Sequence, residues 1–365
     1  MHAEEPLDIV HLVCSGAFAG VERYVAYTAP ALQELGHRVT VVGGDPPSMR
    51  RVLAGSGVKF LAADSPMKAV RTLVAPEVRG SRPDLVHAHM TEAEVVAVAT
   101  RPFHRAPVVA TLHFAHPRGR TPVRQAIWSP LPRFLAGQFA ISQAVATASG
   151  QWCTVVPSGV PVPTPVPSQR RRPVVLAAQR FEPEKDTRSA IEIWARSGLA
   201  DLGWELHLAG AGSQERELAE LATSSRVADS VRFVGFVDDL PLRMRSASVL
   251  LATTPNDGLG LSVIEAMSAA LPVVAARGGG YVEVISPVDG RYLFDPGDTV
   301  AGARMLRSLA LDPVDAATFG SRLRDRYLAE YTVERHAARL VTAYRQVLAS
   351  RRAAAGTASG TVGRR

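Results

Sequence analysis

The stretch from Thr253 to Gly280, TTPNDGLGLSVIEAMSAALPVVAARGGG, constrains the fold of this chain more than any other. It begins where an apolar run over 248–252 stops at Thr-Thr-Pro-Asn, and such a run, bounded by turn residues, reads as a short buried strand. Asp257-Gly-Leu-Gly260 makes a turn, 261–270 carries a helical pattern, and Pro272 ends it before a second buried strand over 272–276. Strand, loop, helix, strand is one unit of a parallel sheet. A glycine loop feeding a helix N-terminus offers backbone N–H groups and the positive end of a dipole to an anion. Asp257 and Glu265 bracket that place. Phosphate cradled beside carboxylates that can hold hydroxyls suits a nucleotide-sugar. A plainer reading competes: Ser262-Val-Ile-Glu265 fits a capping box, in which Glu265 only closes the helix start.

The same alternation runs through the rest of the chain. Strands are expected at 7–14, 38–42, 59–62, 84–88, 107–112, 137–141 and 154–156, with helical patterns between most of them. From Pro157 to Pro173 prolines cluster, periodicity vanishes and three arginines run together, the texture of an extended linker. The plan then repeats, with strands at 174–178, 204–209 and 231–233 before the opening stretch. At about 100–200 residues per domain, 365 residues make two. The expectation is an α/β chain of two Rossmann-like, doubly wound parallel-sheet domains, 1–165 and 166–334. A last helix over about 335–352 and a small, polar, disordered tail over 353–365 follow. Ligands of open α/β sheets bind outside the carboxyl ends of the strands. Gly20, His113, Arg180, Lys185 and 257–260 all fall on that side, in a cleft expected between the two sheets.

Composition excludes several classes. The formal charge of +7 rests mostly on arginine, yet no basic run is interleaved with aromatics, which are only 6% of the chain, so nucleic-acid binding is not expected. The surplus charge leaves room for contact with an acidic membrane surface. Cys14 and Cys153 form no CxxC pair, and no segment has about 18 uninterrupted apolar residues. A cytoplasmic chain without zinc is the expectation.

Arg180-Phe-Glu-Pro-Glu-Lys185 directly follows a strand. Its two cations can neutralise a diphosphate, Arg through a planar fork and Lys as a point charge; the competing reading is a solvated pair offset by Glu182 and Glu184. His113 ends a strand and can donate a hydrogen bond to a sugar hydroxyl or to developing charge. His87, His89 and His116 lie near it in sequence, but without an acidic partner at ligand spacing they do not read as a metal site. The chain has no Gly-x-Ser-x-Gly elbow and no Walker loop.

Taken in order, these residues resemble the GT-B-fold retaining glycosyltransferases of family 4. The resemblance runs through Ala19-Gly-Val-Glu-Arg23, 83–89, 111–113, 180–185, 208–212, 231–235, 257–265 and 278–283. It implies a sugar moved from a UDP- or GDP-linked donor to a hydroxyl acceptor, a natural product, glycolipid or polysaccharide precursor, with no cofactor and no metal. By matching position, Arg180 and Lys185 would hold the donor diphosphate and Glu265 the ribose. Asp257 stands where the family has the first Glu of an E-x7-E pair that contacts the donor sugar. Backbone N–H groups of Gly258, Leu259, Gly260 and Leu261 would meet sugar and phosphate, and His113 would lie near the anomeric carbon. Gly20 would close on the phosphate, and the base would sit around Gly210–Gly212 and Phe236–Val237. The acceptor would meet a loop over 115–130 that carries His116, Arg118, Arg120, Arg124 and Trp128. Three departures stand out: Asp257 for Glu, Ala19 for a first glycine, and Pro157-Ser-Gly-Val160 for Pro-Asn-Gly-Val. The Asp257 and Ser158 departures are the only support for a catalytically impaired subunit that still binds nucleotide-sugar. An NAD-dependent oxidoreductase is the other alternative, but 15–20 and 210–212 lack its Gly-x-Gly-x-x-Gly loop.

Overall fold

Among the described residues, thirteen short, mostly apolar runs form the strands of two parallel sheets. The computed structural model describes residues 5–116, 118–119, 121–163, 171–237 and 240–360. It divides into two compact units, Met1–Pro161 with Val333–Arg365, and Val162–Thr332.

The first unit holds β1 (Asp8–Val13), β2 (Arg38–Val42), β3 (Lys59–Leu61), β4 (Leu85–His89), β5 (Val108–Leu112), β6 (Gly137–Ala140) and β7 (Thr154–Val155), in the order β3-β2-β1-β4-β5-β6-β7. The central strands β1 and β4 are buried along their whole length, as strands covered on both faces must be. Order reverses between β1 and β4, so the loops after these strands diverge and leave a crevice at their carboxyl ends. The helix Gly20–Glu34 follows β1, and its Glu22 ties down the connecting loop by accepting from the Ala19 N–H at 2.9 Å and from the Ser15 hydroxyl.

The second unit holds β8 (Val174–Ala178), β9 (Glu205–Ala209), β10 (Val231–Gly235), β11 (Val249–Ala252), β12 (Val273–Ala276) and β13 (Leu293–Phe294), ordered β10-β9-β8-β11-β12-β13. This is the strand order of a dinucleotide-type doubly wound sheet, with its switch point between β8 and β11. Arg171, from the three-arginine run, is a staple of this unit. Its guanidinium donates to the carbonyls of Ala247 at 2.7 Å, Ala269 at 2.9 Å and Ala270 at 2.8 Å, which lie just past two helix ends. Part of the expected linker, 164–170, lies outside the described residues.

Two sheets of the doubly wound kind are what the alternation predicts. The tail is a correction. The last helix runs Val333–Gly360, past the expected end near 352. Arg351-Arg-Ala-Ala-Ala355 explains it, because alanine and arginine are strong helix formers. The remaining tail residues, 361–365, lie outside the described residues. None of the described helices is long and apolar enough to cross a membrane.

Candidate functional site

The second unit builds its site from the two loops that flank the switch point. The loop after β8 carries Gln179 to Lys185, and the loop after β11 carries Thr253 to Gly260. Lys185 Nζ and Asp257 Oδ2 meet at 2.6 Å, with side chains 23% and 18% exposed. Residues 72 positions apart thus close into an ion pair because their strands are neighbours.

Gln179 fixes the two loops to each other. Its amide donates to the Lys185 carbonyl at 2.8 Å, to Thr187 Oγ1 at 3.0 Å and to Thr253 Oγ1 at 3.1 Å. The sequence offers one signal for it, a lone polar side chain directly after an apolar strand. Asp186, with φ +50°, then starts the helix Thr187–Ser197 and caps it through Ser189.

Gly260, with φ +86°, is the N-cap of the helix Leu261–Ser268, so the first-turn N–H groups face the Asp257 loop. This placement overturns the capping-box reading. Ser262 lies inside the helix rather than at its cap, and Glu265 is a buried residue of the second turn. Tyr281 packs under the loop, fully buried, and burial first and the Asp257 charge second push its phenol well above the ordinary range.

The triple glycine lets a second helix press on this loop. A Cβ on Gly278 would sit 1.8 Å from the Pro255 carbonyl oxygen, one on Gly279 2.1 Å from that of Asp257, and one on Gly280 2.4 Å from Leu259 Cα. Gly280 N donates to the Asp257 carbonyl at 2.9 Å. The loop that carries Asp257 is thus backed by another helix N-terminus, Gly279–Asp289.

The other expected residues are spread around this centre. Arg180 forms an exposed pair with Glu184 at 2.9 Å, as the competing reading has it for this cation, whereas Glu182 accepts from Ser213 and Lys185 pairs with Asp257. Gly210 and Gly212 have an internal steric reason. A Cβ there would meet the Gln179 and Phe181 carbonyl oxygens at 1.9 and 2.3 Å. Phe236 follows β10 and is 64% exposed, with Val237 half-buried beside it.

In the first unit, Gly20 starts its helix on the exposed side of the β1 loop, and a Cβ there would meet nothing within 4 Å. His113 follows β5 and is 9% exposed. It belongs to a buried histidine cluster that sequence reasoning missed. His11 on β1 and His336 on the last helix join His87 and His89 there, and Tyr24 packs against His89, His113 and His336. A histidine inside an apolar strand gives no warning that four others converge on it. His116 is exposed and stacked on Phe114, away from the cluster.

One expected acceptor residue is corrected. Arg118 is buried and bonds Glu94 at 2.6 Å and Gln138 at 2.7 Å, so it braces the loop and does not face a ligand. Trp128 lines an apolar groove of about 240 Å³ with Val95, Val98, Ile127, Leu131 and Phe134. Arg124 is exposed, and Arg120 lies outside the described residues.

Comparison with known proteins matches both units. Residues 18–162 match the family Glycosyltransferase Family 4, and 164–326 match Glycosyl transferases group 1. The glycogen synthase of Mycobacterium tuberculosis H37Rv is 27% identical over 86% of this chain and 87% of its own length. The phosphatidyl-myo-inositol mannosyltransferase of Mycobacterium leprae is 26% identical over 88% of this chain and 90% of its own. Among solved structures, Anabaena HepE in complex with UDP-glucose has TM-score 0.79 at 22% identity, covering 93% of this chain and 100% of that one. The sucrose-phosphate synthase of Thermosynechococcus elongatus has TM-score 0.71 at 20% identity, covering 94% and 100%. With both sheets and the sequence of both halves pointing the same way, the chain belongs to glycosyltransferase family 4 and is a nucleotide-sugar-binding glycosyltransferase of the GT-B fold.

Proposed function

We propose that this glycosyltransferase moves a hexosyl group, with retention and without a metal ion, from a UDP- or GDP-linked donor to a hydroxyl acceptor. The observation that carries the reading is the Lys185–Asp257 pair at the switch point, directly before the helix N-terminus at Leu261. A cation, a carboxylate and the N–H groups of a helix N-terminus are three recognition elements that suit a sugar diphosphate. On donor binding, Lys185 turns to the diphosphate and Asp257 to the sugar hydroxyls. Arg180 joins them at little cost, since an exposed pair such as Arg180–Glu184 is worth about 0–1 kcal/mol. Glu265 takes the ribose, and residues 210–212 and 236–237 flank the base. Gly20, which has no internal reason to lack a side chain, lets backbone approach the phosphate closely.

In the chemical step the bond from C1 to the diphosphate oxygen breaks. That oxygen takes the acceptor hydroxyl's proton, and the acceptor oxygen bonds C1 from the same face. The charge gathers on the departing diphosphate, where Lys185, Arg180 and the helix N-terminus stabilise it. His113 stands by the donor sugar. HepE's complex with UDP-glucose makes UDP-glucose the first donor to try.

The test has three parts. Calorimetric titration with UDP, GDP, ADP and TDP identifies the base. Transfer to simple hydroxyl acceptors after EDTA treatment tests metal independence, and the anomeric coupling of the product tests retention. The reading fails if Lys185→Ala binds the preferred nucleotide as tightly as the unaltered protein, or if the product is inverted.

A further inference from the structure

The histidine cluster of the first unit has the spacing of a metal centre: His11, His87 and His89 each place a ring nitrogen within 4.8 Å of the others. Their hydrogen bonds describe something else. His87 Nδ1 lies 2.6 Å from the Tyr344 hydroxyl and its Nε2 2.7 Å from Thr111 Oγ1. His89 Nε2 lies 2.9 Å from His11 Nδ1, and its Nδ1 lies 3.1 Å from His113 Nε2. Within the trio only His11 Nε2 lacks a partner among the described residues. A metal would have to break bonds that already satisfy the rings.

The three rings His11, His89 and His113 are joined end to end, and a neutral imidazole has one N–H and one lone pair. Burial keeps them neutral, holding His11 and His113 near about 3 and His89 well below the ordinary histidine range. Two proton orders satisfy both links. In one, His11 Nδ1–H donates to His89 and His89 Nδ1–H donates to His113, which leaves its own proton on Nδ1. In the other, every bond is reversed and His11 keeps its proton on Nε2. The first order ends in an unfilled lone pair at His11 Nε2, and the second in a buried N–H with no acceptor. Orphaned buried N–H groups are the rarer and costlier of the two. His336 shows the same choice. Its Nδ1 must donate to the Pro157 carbonyl at 2.7 Å, so its buried, unpartnered Nε2 is a lone pair as well.

We infer that His11 and His89 are positioning residues that fix His113 as the Nδ1–H tautomer. His113 then meets its ligand as a neutral hydrogen-bond donor and not as a base, because its accepting nitrogen is turned inward to His89. This rests on the proposal that His113 stands by the donor sugar. There it would donate to a sugar oxygen without adding charge beside an electron-poor C1.

Long-range ¹H–¹⁵N correlation on the full chain labelled with ¹⁵N-histidine, with no nucleotide present, reads the tautomers directly. Each ring is assigned by its His→Gln variant. Protonated Nδ1 and bare Nε2 at His11, His89 and His113 are expected, unchanged on adding one equivalent of Zn²⁺. A proton on His113 Nε2 overturns the inference, as do Zn²⁺-induced shifts at His11, His87 and His89. His11→Phe removes the terminal donor and should release His113 to the other tautomer, lowering kcat about tenfold at unchanged donor KM. His11→Gln, whose amide can donate to His89, should restore both. A kcat unchanged in folded His11→Phe whose His113 has changed tautomer also overturns it. If the wild-type tautomers are as expected but His113→Ala transfers normally, the chain of bonds stands and the assignment of His113 to the donor sugar falls.

Discussion

At the residue scale, Lys185 and Asp257 are the pair to break. Lys185→Ala should reduce transfer about 10²–10³-fold, the loss typical of one preorganised charge stabiliser. Stability should fall by no more than about 1 kcal/mol, because both side chains reach water and Asp257 can be rehydrated. Circular dichroism and steady-state rates on the same preparation check both halves of that expectation. Gly20→Ala separates a steric role inside the unit from a role toward ligand. A Cβ there meets nothing within 4 Å, so the unfolding midpoint should stay within the range of a neutral surface change, about 0.5 kcal/mol. Donor KM should nevertheless rise if the backbone of Gly20 approaches the phosphate, and an unchanged KM would remove Gly20 from the site. The meeting of Lys185 and Asp257 is legible in the sequence because each sits in the loop that follows an apolar run. The contacts of His11 and Arg171 are not, since their partners are supplied by strands and helices distant in the chain.

At the element scale, the site loop depends on a helix that the sequence does not obviously link to it. Strand, loop and helix at 248–268 follow from local pattern: an apolar run, a glycine turn, a helical period. That Gly278–Gly280 would end beneath the same loop depends on tertiary packing, because β12 pairs in parallel with β11 and the loops after the two strands lie side by side. The capping-box reading failed for a related reason. Gly260 can adopt φ +86° and start the helix two residues earlier than a serine cap would. Gly279→Ala tests the coupling. Its φ of +51° and the 2.1 Å approach of a Cβ to the Asp257 carbonyl oxygen should cost about 1–3 kcal/mol of stability. Because the oxygen it strikes belongs to the residue that carries the carboxylate, nucleotide affinity should fall as well. Titration at a temperature where the variant is fully folded isolates that effect, and an affinity equal to the unaltered protein's would show that the helix supports the fold alone.

At the scale of the whole molecule, the two units should respond to different chemical variables. The second unit holds only His207 of the chain's ten histidines, while the first buries His11, His87, His89, His113 and His336 as neutral rings. Burial lowers their folded pKa values, to about 3 for His11 and His113 and about 4 for His336, against an ordinary 6.5. Below 6.5 the unfolded chain binds protons that the folded unit does not, so stability is present above that value and lost as pH falls toward 3–4. Each of these five rings should contribute about 1.4 kcal/mol of loss per pH unit in that window, and with the buried His37 and His104, whose pKa values burial also lowers, they make the first unit acid-labile. A nucleotide held at the β8–β11 switch point acts on the second unit instead, raising its stability by about 2.7 kcal/mol at a hundred times Kd. Scanning calorimetry at pH 7.5 and 5.5, with and without UDP, should therefore show one transition that falls with acid and ignores UDP, and another that rises with UDP and ignores acid. A single transition displaced by both would mean that the units unfold as one. A transition sensitive to acid and unmoved in His11→Gln, His89→Gln and His336→Gln would mean that the buried rings are not the source, since replacing them removes the groups that protonate on unfolding.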